Sequence, residues 1–68
     1  MSAETAQNIQ KMLKKEYNMD ESYAIQIVNI DPNYPQEIKN ILEKDPILRD
    51  LSDDELLIVI QNIRDLQS

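Results

Sequence analysis

The sequence predicts an all-α fold, a bundle of four to five short helices, and three observations support this. The 68 residues contain no glycine, which removes the tight hairpin turns that β-sheets favour. Apolar residues recur at spacings of three and four, as they do along one face of an α-helix. Each expected helix also begins with a residue type that caps helices or fits their first turn.

The first helix is expected to begin after Ser2, a typical N-cap residue, and to run to about Tyr17. Its apolar residues recur at helical spacing: Ala6, Ile9, Leu13 and Tyr17. Three lysines fall together on the opposite face: Lys11, Lys14 and Lys15. This lysine stripe, with the Tyr17 ring nearby, is a candidate nucleic-acid contact, although a solvated helix face explains it better in so acidic a chain.

The second helix is expected to follow Asp20 as its N-cap, with Met19 packing against Ala24 as a hydrophobic staple. It should stop near Asp31, because Pro32 pushes the preceding residue out of the helical region. Its apolar residues span more than half of the circumference: Tyr23, Ala24, Ile25, Ile27, Val28 and Ile30. We therefore expect this helix to be the central and most buried one.

The third helix is expected to start at Asn33-Tyr34-Pro35, because the missing N–H of proline costs nothing at the first helical position. It should end at Asp45-Pro46. Its single apolar stripe consists of Ile38, Ile41 and Leu42. The apolar residues that follow are expected to form a connector or single turn over one end of the core: Ile47, Leu48 and Leu51.

The fourth helix has the strongest start signal in the chain. Ser52 and Glu55 form a capping-box pattern, and Leu51 can pack against Leu56 as a staple. The helix should run to about Leu66. Its expected core stripe consists of Leu56, Val59, Ile60, Ile63 and Leu66.

Two apolar residues fit this stripe poorly. Leu57 lies at its border, and Ile58 projects among Gln61, Asn62 and Asp65. A single exposed apolar residue is ordinary, but two neighbouring ones beyond the core stripe make an interface as well supported as ordinary exposure. Leu57 and Ile58 are therefore the candidate partner-binding residues.

The residue inventory limits the chemistry. There is no cysteine and no histidine, which excludes disulfides, thiolate chemistry and the common zinc sites. Asp53, Asp54 and Glu55 are adjacent carboxylates, but acids in a first helical turn complement the helix dipole, and a calcium loop would need a glycine. We expect no enzyme activity, no metal, no cofactor and no small-molecule substrate.

Charge and apolar patterning indicate the environment and the partners. The net charge of −6 opposes a phosphate backbone, so a protein partner is favoured and RNA contact is secondary. The lack of disulfides fits a reducing compartment, and the N-terminus lacks a secretory signal pattern. The longest apolar run, Leu56 to Ile60, is far too short for a membrane span. A cytoplasmic protein without membrane contact is expected.

Taken in order, these segments resemble the C-terminal HRDC-like domain of the small stalk subunit of archaeal DNA-directed RNA polymerase. The resemblance covers nearly the whole chain, from Ser2 to about Leu66, and identifies residues 1–68 as a single HRDC-like domain. It depends on the order and spacing of Leu13-Lys14-Lys15, Met19-Asp20-Glu21, Ala24, Ile27, Ile30-Asp31-Pro32, Pro35-Gln36-Glu37-Ile38, Ile41-Leu42 and the helix from Glu55 to Ile63.

The resemblance implies a non-catalytic component of the transcription machinery that pairs with the larger of the two RNA polymerase stalk subunits, near the RNA exit path. Two other functions stay open. One is a stand-alone helical adaptor of the ubiquitin-associated type, against which the extended fourth helix argues. The other is an RNA-binding HRDC domain that uses Lys11, Lys14 and Lys15.

Overall fold

The computed structural model describes residues 2–67, which form α-helices, one 3₁₀ turn and no strand. The elements are α1 (Ala3–Tyr17), α2 (Glu21–Ile30), α3 (Pro35–Leu42), the 3₁₀ turn (Leu48–Asp50) and α4 (Asp53–Gln67). The prediction of a small all-α bundle is confirmed. The predicted domain also includes Met1 and Ser68, which lie outside the described residues.

The three predicted N-caps are confirmed by hydrogen bonds from backbone N–H groups to their side chains. The bonds run from Thr5 N to Ser2 Oγ (3.1 Å), from Ser22 N to Asp20 Oδ1 (2.9 Å) and from Glu55 N to Ser52 Oγ (3.2 Å). Each cap pairs an amide that has no partner within its helix. The chemistry of single residues thus sets where α1, α2 and α4 begin.

The start of α3 is capped by a carboxylate. Pro35 occupies the first helical position after Tyr34, as predicted. Glu37 Oε1 accepts from the backbone N–H groups of Asn33 (3.1 Å) and Tyr34 (3.2 Å). The glutamate therefore closes the first turn of α3 from inside the helix.

The end of α3 differs from the prediction, since the helix stops at Leu42 and not at Asp45-Pro46. Asp45 Oδ1 accepts from the backbone N–H groups of Ile47 (2.9 Å) and Leu48 (2.8 Å). Asp45 therefore caps the next turn instead of extending α3. Leu48 is buried and covers one end of the core as expected, whereas Ile47 is 75% exposed and does not.

Two helices end at a residue in the left-handed backbone conformation, and in neither case is that residue a glycine. Asn18 follows α1 with φ of 50°, and Asp31 follows α2 with φ of 48°. Asparagine and aspartate are the non-glycine residues that most readily adopt this conformation at a helix end. They provide the reversals that let α1, α2 and α3 fold back on one another in a glycine-free chain.

The helices pack in a ring: α1 contacts α2 and α4, and α3 contacts the same two helices. Their inward side chains form one core. Its buried members are Ile9, Leu13, Met19, Ala24, Ile27, Ile38, Leu42, Leu48, Leu56, Val59, Ile60 and Ile63. None of the helices within residues 2–67 has the length and apolar character needed to cross a membrane.

The prediction that the second helix is the most buried is wrong. Only Ala24 and Ile27 of α2 are buried, whereas α4 contributes Leu56, Val59, Ile60 and Ile63. Ile25 and Ile30 are 40% and 44% exposed. The reason is that the apolar surface of α2 is broader than the part that α1 and α3 cover, so Ile25 and Ile30 remain at the surface.

Candidate protein-interaction surface

The outward face of α4 carries two large apolar side chains. Leu57 is 50% exposed and Ile58 is 58% exposed, while Leu56 and Val59 on either side of them are buried. The structure therefore confirms that both candidate residues lie outside the core. Their role in binding a partner stays a prediction.

Leu57 lies on the flank of α4 that faces α3. It shares one stripe of the helix with Asp53 and Arg64, which are four residues before and seven residues after it. Asp53 forms an ion pair with Lys39, and Arg64 Nη2 donates to Asn33 Oδ1. Leu57 thus lies between two polar contacts along the helix. Asp53 makes the contact to α3, and Arg64 makes the contact to the segment that precedes α3.

Ile58 lies on a different stripe, one that faces solvent. Asp54 precedes it by one turn, and Gln61 and Asp65 follow it by one and two turns. Gln61 Nε2 donates to Asp65 Oδ1 at 2.9 Å. Ile58 is thus an apolar side chain in an acidic and amide surface, and a partner would meet apolar contact and negative charge together.

The lysine stripe of α1 is exposed as expected, but the structure already uses part of it. Lys14 Nζ lies 3.4 Å from Glu21 Oε1 of α2. Tyr17 is half-buried against the core, and its hydroxyl accepts from Asn62 Nδ2 of α4 at 3.1 Å. The ring is therefore engaged in packing. Within residues 2–67, no hydrogen bond or ion pair links Lys11, Lys14 or Lys15 to the Leu57 and Ile58 surface.

A groove between α1 and α4, the α1–α4 groove, was not predicted from the sequence. It encloses about 650 Å³. Its apolar lining consists of Met12, Tyr17 and Leu66, and its polar lining consists of Asn8, Glu16, Asn62 and Asp65. Leu66, which the spacing placed in the core stripe, is 40% exposed here, so that prediction is wrong. The sequence feature that could have indicated the groove is Met12, an apolar residue beside the main apolar stripe of α1.

The acidic residues take part in capping and in helix electrostatics. Asp53, Asp54 and Glu55 occupy the first turn of α4, where their charge complements the helix dipole. The backbone N–H and the hydroxyl of Ser22 hold the pKa of the Asp20 carboxyl below its ordinary value. Among residues 2–67, no cluster of three or more carboxylates could hold a metal ion, and no buried side-chain polar atom lacks a hydrogen-bond partner.

A comparison of the chain with protein-family models, with curated proteins and with solved structures finds no match.

Proposed function

We propose that this chain is a non-catalytic protein-interaction module that binds its partner through the outward face of α4. The observation that carries the proposal is the exposure of the neighbouring residues Leu57 and Ile58, at 50% and 58%. The core closes without them, so their apolar character is not needed for folding. Removing the exposed half of each side chain from water would contribute on the order of 1 kcal/mol per residue to binding.

We further propose that the partner belongs to the transcription machinery and is the larger stalk subunit of an archaeal-type RNA polymerase. The resemblance to the small stalk subunit supports this, because two of the segments that carry it coincide with helix starts. Met19-Asp20-Glu21 leads into α2, and Pro35 opens α3. In this proposal the protein acts in the cytoplasm, near the RNA exit path of the polymerase, and needs no cofactor.

RNA contact is secondary in this proposal. The net charge of −6 repels phosphate, and the ammonium group of Lys14 is shared with Glu21. The Tyr17 ring is half-buried against the core, which leaves less of its face for a base to stack on. An acidic surface with exposed apolar residues fits a protein better.

The proposal is tested by capture from a native lysate of the source cells, with the tagged chain as bait and mass spectrometry as the readout. Recovery of polymerase subunits by the wild type, with loss on Ile58→Glu, would support it. Binding of the purified larger stalk subunit is then measured directly by calorimetry. Consistent absence of polymerase subunits, together with no binding in the calorimeter, would overturn the transcription assignment.

A titration of labelled single-stranded RNA at low ionic strength tests the alternative. We expect weak binding that does not depend on the lysine stripe. Tight, salt-sensitive binding that is lost on changing Lys11, Lys14 and Lys15 together would overturn the preference for a protein partner.

A further inference from the structure

We propose that the α1–α4 groove binds a short basic segment of a partner protein, which inserts one apolar side chain between the two helices. This inference depends on the proposed function only in that the occupant is a protein segment. It does not need the polymerase assignment. It concerns a surface that neither Leu57 nor Ile58 lines.

The volume of the groove suits a short peptide segment, and its apolar lining suits one anchoring side chain of that segment. Its volume of about 650 Å³ lies within the range of ligand sites in proteins. Met12 is half-buried and Leu66 is 40% exposed, so part of their apolar surface still faces water. A leucine or methionine of the partner would cover this surface, and the gain would come from removing apolar area from water.

The charge of the lining determines which segment fits. Glu16 of α1 and Asp65 of α4 place one carboxylate on each wall, and no basic side chain is among the described lining residues. With a net charge of −6 for the whole chain, lysine or arginine on both sides of the anchor is the complementary arrangement.

The groove also carries groups that can bind a peptide backbone. The Tyr17 hydroxyl accepts from Asn62 Nδ2, which leaves the hydroxyl proton free to be donated. The side-chain carbonyl oxygen of Asn62 can accept at the same place. Because their mutual bond fixes both side chains, they are oriented before a peptide arrives, which lowers the entropy cost of binding.

Other occupants fit less well. A second copy of this chain would bring acidic side chains to an acidic groove, because its exposed Ile58 is accompanied by Asp54 and Glu55. A nucleic acid would place phosphates beside Glu16 and Asp65. Both arrangements juxtapose like charges, whereas a basic segment does not.

The probe for this site is a short fluorescein-labelled peptide of lysine and alanine with one central leucine. Two matched peptides carry serine in place of the leucine, or glutamate in place of the lysines. We expect the leucine peptide to bind about tenfold tighter than the serine peptide, since burial of one leucine supplies at least that factor. The glutamate peptide should not bind. Fluorescence anisotropy at low ionic strength measures all three.

The location is tested by charge reversal and by NMR. Glu16→Lys should weaken binding of the leucine peptide about tenfold by removing one attraction and adding one repulsion. Glu43→Lys makes the same change at the end of α3, away from the groove, and should alter affinity less than about twofold. In ¹⁵N–¹H spectra, the peptide should shift the amides of Asn8, Met12, Asn62 and Leu66.

Equal affinity for the leucine and serine peptides, or equal effects of the two charge reversals, would show general attraction to an acidic protein and would overturn the inference. So would shifts confined to α2 and α3. If the leucine peptide does not bind while polymerase subunits are still recovered from the lysate, only the proposal for the groove is overturned. Peptide binding without recovery of those subunits would support the proposal for the groove and overturn the transcription assignment.

Discussion

The side-chain amide of Asn62 donates a 3.1 Å hydrogen bond to the hydroxyl of Tyr17, which joins the last residue of α1 to the second half of α4. The bond is partly buried and links helices that are far apart in the sequence. Tyr17→Phe should lower the free energy of unfolding by about 1 kcal/mol, since the Asn62 amide then loses its partner. The urea midpoint measures this change.

Tyr34→Phe is the matched control for this prediction. Tyr34 is 69% exposed, and its hydroxyl has no hydrogen-bond partner among the described residues. Removal of that hydroxyl should leave the urea midpoint nearly unchanged. Equal effects of the two substitutions would show that the Tyr17 to Asn62 bond does not stabilise the fold.

A second prediction concerns the start of α4. Ser52 Oγ accepts from Glu55 N at 3.2 Å, so Ser52→Ala should cost about 1 kcal/mol of stability. Ser52→Asp keeps a side-chain acceptor at the same position and should preserve most of the stability that the cap contributes. The urea midpoints of the two variants are compared with the wild type. If alanine and aspartate behave alike, the cap does not determine where α4 begins.

The helix starts could be predicted from the sequence because capping is local. Ser2, Asp20 and Ser52 each accept an N–H from two or three residues ahead, so the residue type and its near neighbours contain the information. The end of α3 was misplaced for a related reason. Asp45 was interpreted as part of the helix end, but its side chain caps the following turn.

Burial and grooves could not be predicted in the same way. Helical spacing shows which residues share a face, but the neighbouring helices decide how much of that face they cover. Ile25 and Ile30 belong to an apolar surface wider than its contacts, and they remain exposed. Leu66 and Met12 line a groove whose width depends on how α1 and α4 pack, a quantity that neither helix encodes alone.

A third prediction concerns pH. Hydrogen bonds from Ser22 lower the pKa of Asp20 in the folded chain below its ordinary value of 3.8. The charged cap therefore stabilises the fold above that pH, and this contribution is lost as pH falls through the folded pKa. The wild type should exceed Asp20→Asn in urea midpoint at neutral pH, and the difference should shrink in acid.

The control for the pH prediction is Asp50→Asn, which removes the same charge from an exposed carboxylate with no hydrogen-bond partner among residues 2–67. The difference in urea midpoint between this variant and the wild type should change less over the same pH range. A difference for Asp20→Asn that stays constant from neutral pH into acid would mean that ionisation of Asp20 does not stabilise α2.

The last prediction separates the interaction surface from the core with two substitutions on one helix. Ile58 is 58% exposed and Ile60 is 4% exposed, so the same substitution places a glutamate in water at one position and in the core at the other. Ile58→Glu should leave the circular dichroism spectrum and the melting temperature nearly unchanged. Ile60→Glu should unfold the domain, because a buried unpaired carboxylate costs several kcal/mol and a chain of this size has little stability to lose. Unfolding by Ile58→Glu would place Ile58 in the core and remove the basis of the proposed α4 surface.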